Sequence, residues 1–199
     1  NTIHDPQTRP LFLDTDHLDG ITVSDNLARD SPDHGVEMNG TFVRDIVISG
    51  NDLGGSALTP IQLTSPNPMS GIRVEDNNAS GLDDHGILME APTLTDVTVE
   101  GNTLLGNLAE QMVIRCDSLT DATVAGNIAP GSPLIPLLLD CDSVDGLTIR
   151  DNVFNDSGGH GIQVAVVTST DVLISGNLLH GSLLDAINFT VVHDIVNVT

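Results

Sequence analysis

Five charged residues near the middle of the chain have the types and spacing to act together on a ligand. Glu90, Arg115 and Asp140 follow one another at intervals of 25 residues, and Asp117 and Asp142 keep the same interval just beyond them. Carboxylates beside a guanidinium can hold a cation or an acidic ligand. They can also form a simple Glu–Arg–Asp ladder of surface ion pairs, each worth about 0–1 kcal/mol. The residue types favour the ladder and leave the binding site open.

An internal repeat determines where these residues lie. Asparagine recurs with a step of 25 residues, and one step of 26, at Asn1, Asn26, Asn51, Asn77, Asn102, Asn127, Asn152 and Asn177. Short runs such as residues 97–99 and 162–164 alternate apolar and polar side chains between Gly, Asn and Asp, which indicates strands. We therefore predict an all-β parallel solenoid of about eight coils, with three short strands per coil, no helical cap and one domain over residues 1–199.

The repeated asparagines are expected at sharp turns, because Asn tolerates the left-handed backbone conformation. Their side chains should hydrogen-bond along the solenoid axis. An inward position follows two residues later, for example at Leu53, Leu104 and Leu179. A second turn carries repeated aspartates, which we interpret as turn formers; they are Asp45, Asp96, Asp121 and Asp171.

The pattern Val-x-Val-x-Gly-Asn-x-Leu at residues 97–104, followed by Gly-Ile-x-Val at 161–164, resembles the repeats of the pectate lyase superfamily. The resemblance covers essentially all of the chain and implies a right-handed parallel β-helix. That superfamily includes lyases, hydrolases, epimerases, adhesins and tail spikes, so the resemblance is specific for fold and weak for function. Pectate lyases hold calcium among carboxylates with an arginine close by. The resemblance therefore implies Ca²⁺ at Glu90, Asp117, Asp140 and Asp142, with Arg115 contacting a uronate.

Two segments resemble motifs of the polygalacturonases within that superfamily. Residues 82–87 are similar to the paired-aspartate motif and residues 159–162 to the Gly-His-Gly motif, which implies Asp83, Asp84, His85 and His160 as catalytic candidates. Here the two histidines are 75 residues apart, which is three coils, or roughly 14 Å at about 4.8 Å per coil. Acid–base catalysis needs contacts near about 3 Å. These four residues are therefore weak candidates, and the family's lysine is also missing.

Residues 33–37, Asp-His-Gly-Val-Glu, resemble the acidic-histidine motif of alginate epimerases. Those enzymes also use a tyrosine, and this chain contains none. Asp-His-Gly recurs at residues 84–86, directly before another predicted strand. We therefore interpret both segments as turns that precede a strand.

The composition limits the possible partners. The net charge is −22, with no lysine and six arginines, so we expect no binding to nucleic acid or to an anionic membrane. No run of 18 apolar residues occurs, which excludes a membrane-spanning helix. An aspartate-rich surface fits either a halophilic source or a soluble extracellular protein. The first residue is asparagine, which is consistent with a removed leader and an extracellular or cell-surface location.

The two cysteines are also one repeat apart. Cys116 and Cys141 are separated by 25 residues, so they should face each other in adjacent coils about 4.8 Å apart. Parallel in-register side chains fit the dihedral angle of a disulfide poorly. We favour two stacked thiols over a disulfide bridge.

Assembly is the function that the repeat favours most. Its constant length leaves no room for the long loops that build a substrate groove. Asn1 and Ile3 continue the repeat at one end, and Val196 and Val198 continue it at the other, so we expect copies to stack head to tail as a filament. A slice of a longer β-helix would look the same. Leu88, Val113 and Leu138 form a predicted outward apolar ladder, a candidate for lateral contact.

We therefore expect a non-catalytic extracellular structural protein that associates with itself and needs no cofactor. The alternatives are a carbohydrate-active domain acting on an acidic polysaccharide with Ca²⁺, or a segment of a larger surface adhesin.

Overall fold

The computed structural model describes residues 2–3, 9–81, 83–193 and 195–198. In these residues the fold is all-β and without helix, a parallel β-solenoid of about seven turns with repeats of about 25 residues. The predicted fold class is confirmed, although the number of turns is closer to seven than to eight. The strands, numbered in chain order, are β1 (Thr2–Ile3), β2 (Leu11–Asp19), β3 (Thr22–Ser24), β4 (Leu27–Ala28), β5 (Val36–Ser49), β6 (Ile61–Thr64), β7 (Met69–Glu75), β8 (Ile87–Glu90), β9 (Thr93–Glu100), β10 (Met112–Ala125), β11 (Leu137–Arg150), β12 (Ile162–Ser175), β13 (Ile187–Val191) and β14 (Ile195–Val198).

Each coil contributes two sides of extended strand and a third side reduced to single bridges. In β5, β10, β11 and β12 the two strands merge into one element of 14 residues that continues around a corner. The third side pairs one residue per coil, as in Asp52 with Asn78 and Thr103 with Ile128. The prediction of three strands per coil is therefore confirmed for two sides, while the third is shorter than predicted.

The core consists of the inward residues of all three sides. Ile87, Met112, Leu137 and Ile162 are paired in register and are essentially inaccessible to solvent. On the third side Leu53 and Leu104 are buried as predicted, and Leu179 is partly buried against the core in the last coil. Stacking like residues on like residues thus builds one continuous core along the axis.

The predicted asparagine ladder is present from Asn26 to Asn177. In each step a side-chain Nδ2 donates to the Oδ1 of the next asparagine, at distances of 2.8–3.1 Å. Asn1 lies outside the described residues. The expectation that these asparagines adopt the left-handed conformation is wrong, because the preceding residue does so instead. That residue is an aspartate with φ of 53–56° or a glycine with φ of 61–67°, as at Asp76 and Gly101.

The repeated aspartates of the second turn are turn formers, as predicted. Asp45, Asp96, Asp121 and Asp171 all have φ between 51° and 53°. A short polar side chain tolerates this conformation better than a branched or bulky one. These carboxylates therefore have a local structural role.

The ends of the chain depart from the predicted phase. Ile3 pairs with Ala28, which agrees with the repeat. At the other end Val198 lies opposite Val172 and Val196 opposite Thr170, two residues away from the predicted alignment of Val196 with Val172. The reason is one extra residue between β13 and β14, since Val191 pairs at an offset of 25 and Ile195 at an offset of 26. The argument that the two ends are in phase is therefore wrong.

The predicted lateral contact surface is also wrong. Leu88, Val113 and Leu138 do stack in register. However, Leu88 and Val113 are buried and Leu138 is half-buried, so they present no free apolar ladder. The exposed leucine at this corner is Leu134.

Candidate functional site

An open groove of about 1050 Å³ runs along the axis at the corner between the two strand sides. Its concavity comes from the bend in the stacked strands and requires no inserted loop. All five charged residues singled out from the sequence line it. The groove is built from three successive residues in each of six coils, namely residues 14–16, 39–41, 64–66, 90–92, 115–117 and 140–142.

The groove contains the predicted charged ladder in incomplete form. Register places Arg115 between Glu90 and Asp140. Arg115 Nη1 lies 2.9 Å from Glu90 Oε1, and in the described part of the chain this is its one ion pair. Both side chains are about two-fifths exposed. Such an ion pair contributes about 0–1 kcal/mol, so Asp140 adds charge to the groove without being neutralised.

The groove as a whole is strongly acidic. Arg115 is its single cationic residue among the lining positions, against six carboxylates: Asp14, Asp16, Glu90, Asp117, Asp140 and Asp142. Stacked carboxylates of this kind attract divalent cations. However, no three of their ligand atoms lie within 4.8 Å of one another in the described structure, so a calcium site here requires side-chain rotation.

The two cysteines lie on the wall of the groove. Cys116 and Cys141 are opposite each other in β10 and β11 and are free thiols, as predicted. A hydrogen bond with Cys116 and burial both raise the pKa of the Cys141 thiol. A protonated, buried thiol is a poor nucleophile, so the pair acts as core packing.

The polygalacturonase-like residues do not come together. Three strand steps separate the coil of His85 from that of His160, as the register of Ile87, Met112, Leu137 and Ile162 shows. His85 Nε2 lies 3.6 Å from Asp84 Oδ1, while Asp83 is exposed. His160 Nε2 instead lies 2.9 Å from Asn188 Nδ2.

The chain contains a tighter cluster that the sequence analysis interpreted as a turn. Asp33, His34 and Glu37 place one ligand atom each within 4.8 Å of one another. Arg9 from the previous coil lies 2.9 Å from both carboxylates. Burial opposes ionisation of Asp33, but the hydrogen bonds from Arg9 and from the His34 backbone lower its pKa overall. The spacing Asp-His-x-x-Glu was the available signal, since the first strand residue after the turn brings Glu37 back over His34.

Among the described residues there is no helix long and apolar enough to cross a membrane. Comparison of the chain with models of protein families, with curated proteins and with solved structures finds no match, so its assignment rests on the fold: it is a parallel β-solenoid with repeats of about 25 residues.

Proposed function

We propose that the protein is a non-catalytic structural solenoid of an extracellular or cell-surface assembly. The observation that carries this proposal is the buried asparagine ladder, which joins every coil from Asn26 to Asn177 by side-chain hydrogen bonds. Such a chain of satisfied buried amides makes a stiff rod. The regular coil length and the separation of His85 from His160 also support a structural role. The repeat motif further supports a relationship to the right-handed β-helices of the pectate lyase superfamily.

The last coil supports end-to-end contact with a second copy of the chain. Ile187 is 43% exposed, although its counterpart Ile162 in the previous coil is fully buried. Leu183 and Leu184 are exposed beside it. Covering this apolar surface with another coil would complete the core, and screening the −22 charge with salt would permit it.

Sedimentation velocity from 0.05 to 2 M NaCl, combined with electron microscopy, tests this assembly. We expect filaments at high salt with a repeat of roughly 34 Å, seven coils at about 4.8 Å each. Val198→Pro should shorten them because proline cannot donate a backbone hydrogen bond, while Val198→Thr should not. A monodisperse monomer at every salt concentration would contradict the assembly proposal.

A second candidate function is binding of an acidic polysaccharide bridged by Ca²⁺. The observation that favours it is the groove, which aligns six carboxylates with Arg115 along one face. Isothermal titration with oligogalacturonate is the test. We expect binding only with Ca²⁺, weakened at least tenfold by Asp140→Asn combined with Asp142→Asn, and no cleavage. Equal affinity with and without Ca²⁺ would refute this candidate.

A further inference from the structure

We propose that Asp33, His34 and Glu37 form a binding site for a divalent transition-metal ion of the zinc class. The three side chains come from the turn before β5 and its first residues, on the outside of the solenoid core. This site lies apart from the axial groove and is independent of the structural function proposed above. One imidazole nitrogen with two carboxylate oxygens is a donor set that suits Zn²⁺, Co²⁺ and related ions.

The distances between the ligand atoms fit one central ion. His34 Nε2 lies 3.5 Å from Asp33 Oδ1 and 3.9 Å from Glu37 Oε2. Ligands held at about 2.0–2.1 Å around a tetrahedral zinc are roughly 3.3 Å from one another. Small side-chain rotations would therefore close the three atoms onto a metal, with the fourth position left to water.

The second ring nitrogen of His34 holds the imidazole in the orientation that a metal requires. His34 Nδ1 lies 3.0 Å from the carbonyl oxygen of Thr59, which can only accept a hydrogen bond. The proton of a neutral imidazole is therefore on Nδ1, and the lone pair of Nε2 is directed towards the two carboxylates. A lone pair facing two carboxylates needs a cation between them, and backbone anchoring of the remote nitrogen is typical of histidine metal ligands.

Glu37 supplies an independent indication that a ligand is missing. The residue is only 5% exposed, and its Oε1 accepts a hydrogen bond from Asn39 Nδ2 at 2.8 Å. Its Oε2 is buried and has no hydrogen-bond partner, although it faces the cluster. A buried carboxylate oxygen without a hydrogen bond is costly. Coordination to a metal would satisfy it.

Arg9 occupies part of the same space and should compete with the metal. Its Nη1 is 2.9 Å from Glu37 Oε2, without the geometry of a hydrogen bond, and its Nε donates to Asp33 Oδ2. The Arg9 side chain is one-third exposed, so it can move into solvent. Two carboxylates and one guanidinium leave the cluster with a charge of −1, which a divalent ion can reverse. Removing the guanidinium should therefore strengthen metal binding.

The repeat provides matched controls at the same position of other coils. Asp84 and His85 reproduce Asp33 and His34, including a contact of 3.1 Å between His85 Nδ1 and the carbonyl oxygen of Glu110. At the position of Glu37, however, this coil has Leu88. His85 therefore has the same turn and the same ring orientation but lacks the third ligand.

The test uses untagged, chelator-treated protein titrated with Co²⁺ and then with Zn²⁺. We expect one strong site per chain, with a visible Co²⁺ absorption band that Zn²⁺ removes. Glu37→Leu, which copies the residue of the control coil, and His34→Asn should each weaken Zn²⁺ binding at least tenfold. His85→Asn should leave the affinity within twofold, and Arg9→Gln should tighten it by about threefold or more.

Circular dichroism checks that each variant is folded, and Glu37→Gln replaces Glu37→Leu if the latter does not fold. The proposal is overturned if the wild-type protein binds neither Co²⁺ nor Zn²⁺ at a 1:1 ratio. It is also overturned if binding survives in folded Glu37 and His34 variants, or if it disappears in His85→Asn.

Discussion

At the residue scale, the buried asparagines make the most complete use of their hydrogen-bonding groups. Asn102 Nδ2 donates to the carbonyl oxygens of Val74 and Glu100 and to Asn127 Oδ1, while Asn102 Oδ1 accepts from Asn77. Each amide thereby ties three coils together. Removing one side chain leaves several buried polar groups without partners, which costs more than the hydrogen bonds themselves contribute.

We expect Asn102→Ala to lower the free energy of unfolding by about 2–4 kcal/mol. Asn67→Ala is the control, because the exposed Asn67 makes one side-chain hydrogen bond, to the carbonyl oxygen of Thr41. That change should cost about 1 kcal/mol or less. Urea unfolding followed by circular dichroism measures both. Equal losses for the two variants would contradict the ladder's contribution to stability.

The Arg9–Asp33 pair predicts a dependence of stability on pH. The pKa of Asp33 is lowered in the folded protein, so the ionised form stabilises the fold above the unfolded value of about 3.9. This stabilisation disappears as the pH falls through the folded pKa. Arg9→Gln should therefore be less stable than wild type at pH 7, and the difference should shrink below about pH 4. Thermal melts at both pH values, without metal, test this; a difference that grows in acid would contradict it.

At the element scale, the turns work because neighbouring coils fit together. Gly146 has φ of 71°, and a Cβ built there would lie 2.9 Å from the carboxylate of Asp121 in the coil before. The turn aspartates therefore use the space that the next glycine leaves empty. This coupling between coils is why aspartate and glycine alternate at the same turn.

Gly146→Ala should destabilise the protein by about 2–4 kcal/mol, from backbone strain together with the contact to Asp121. Gly131→Ala in the same coil is the control, since its φ is 69° but nothing lies within 4 Å of the added Cβ. It should cost about 1–2 kcal/mol, from strain alone. Calorimetric melting temperatures compare them. If Gly131→Ala were the more damaging change, the packing explanation would fail.

At the scale of the whole molecule, charge opposes cohesion. A net charge of −22 on 199 residues repels itself along a narrow rod, while the stacked core holds the coils together. The repulsion acts through solvent and is therefore sensitive to ionic strength, whereas the core and the asparagine ladder are not.

The melting temperature should rise as NaCl is increased from 0.05 to 1 M, because the screening length falls from roughly 14 Å to about 3 Å. Differential scanning calorimetry at low protein concentration separates this effect from assembly. A melting temperature that falls with NaCl would mean that ion pairs such as Arg115–Glu90 outweigh the general repulsion.

Sequence periodicity was sufficient for the architecture and insufficient for the local chemistry. The 25-residue spacing predicted the solenoid, the ladder and the pairing of Cys116 with Cys141, because parallel register follows directly from the repeat. It could not show that a corner between strands forms a groove, or that Leu88 and Val113 are covered. It also missed the Asp33–His34–Glu37 cluster, because the same Asp-His-Gly turn elsewhere in the chain ends on Leu88 and has no third ligand.

The asparagine ladder gives the rod a direction. Every side-chain amide from Asn26 onwards donates towards the C-terminal end and accepts from the N-terminal side, so the amide dipoles add along the axis. Two such rods meeting at like ends would set donor against donor or acceptor against acceptor. Growth by added coils is therefore polar, and the two ends of any fibre should elongate at different rates.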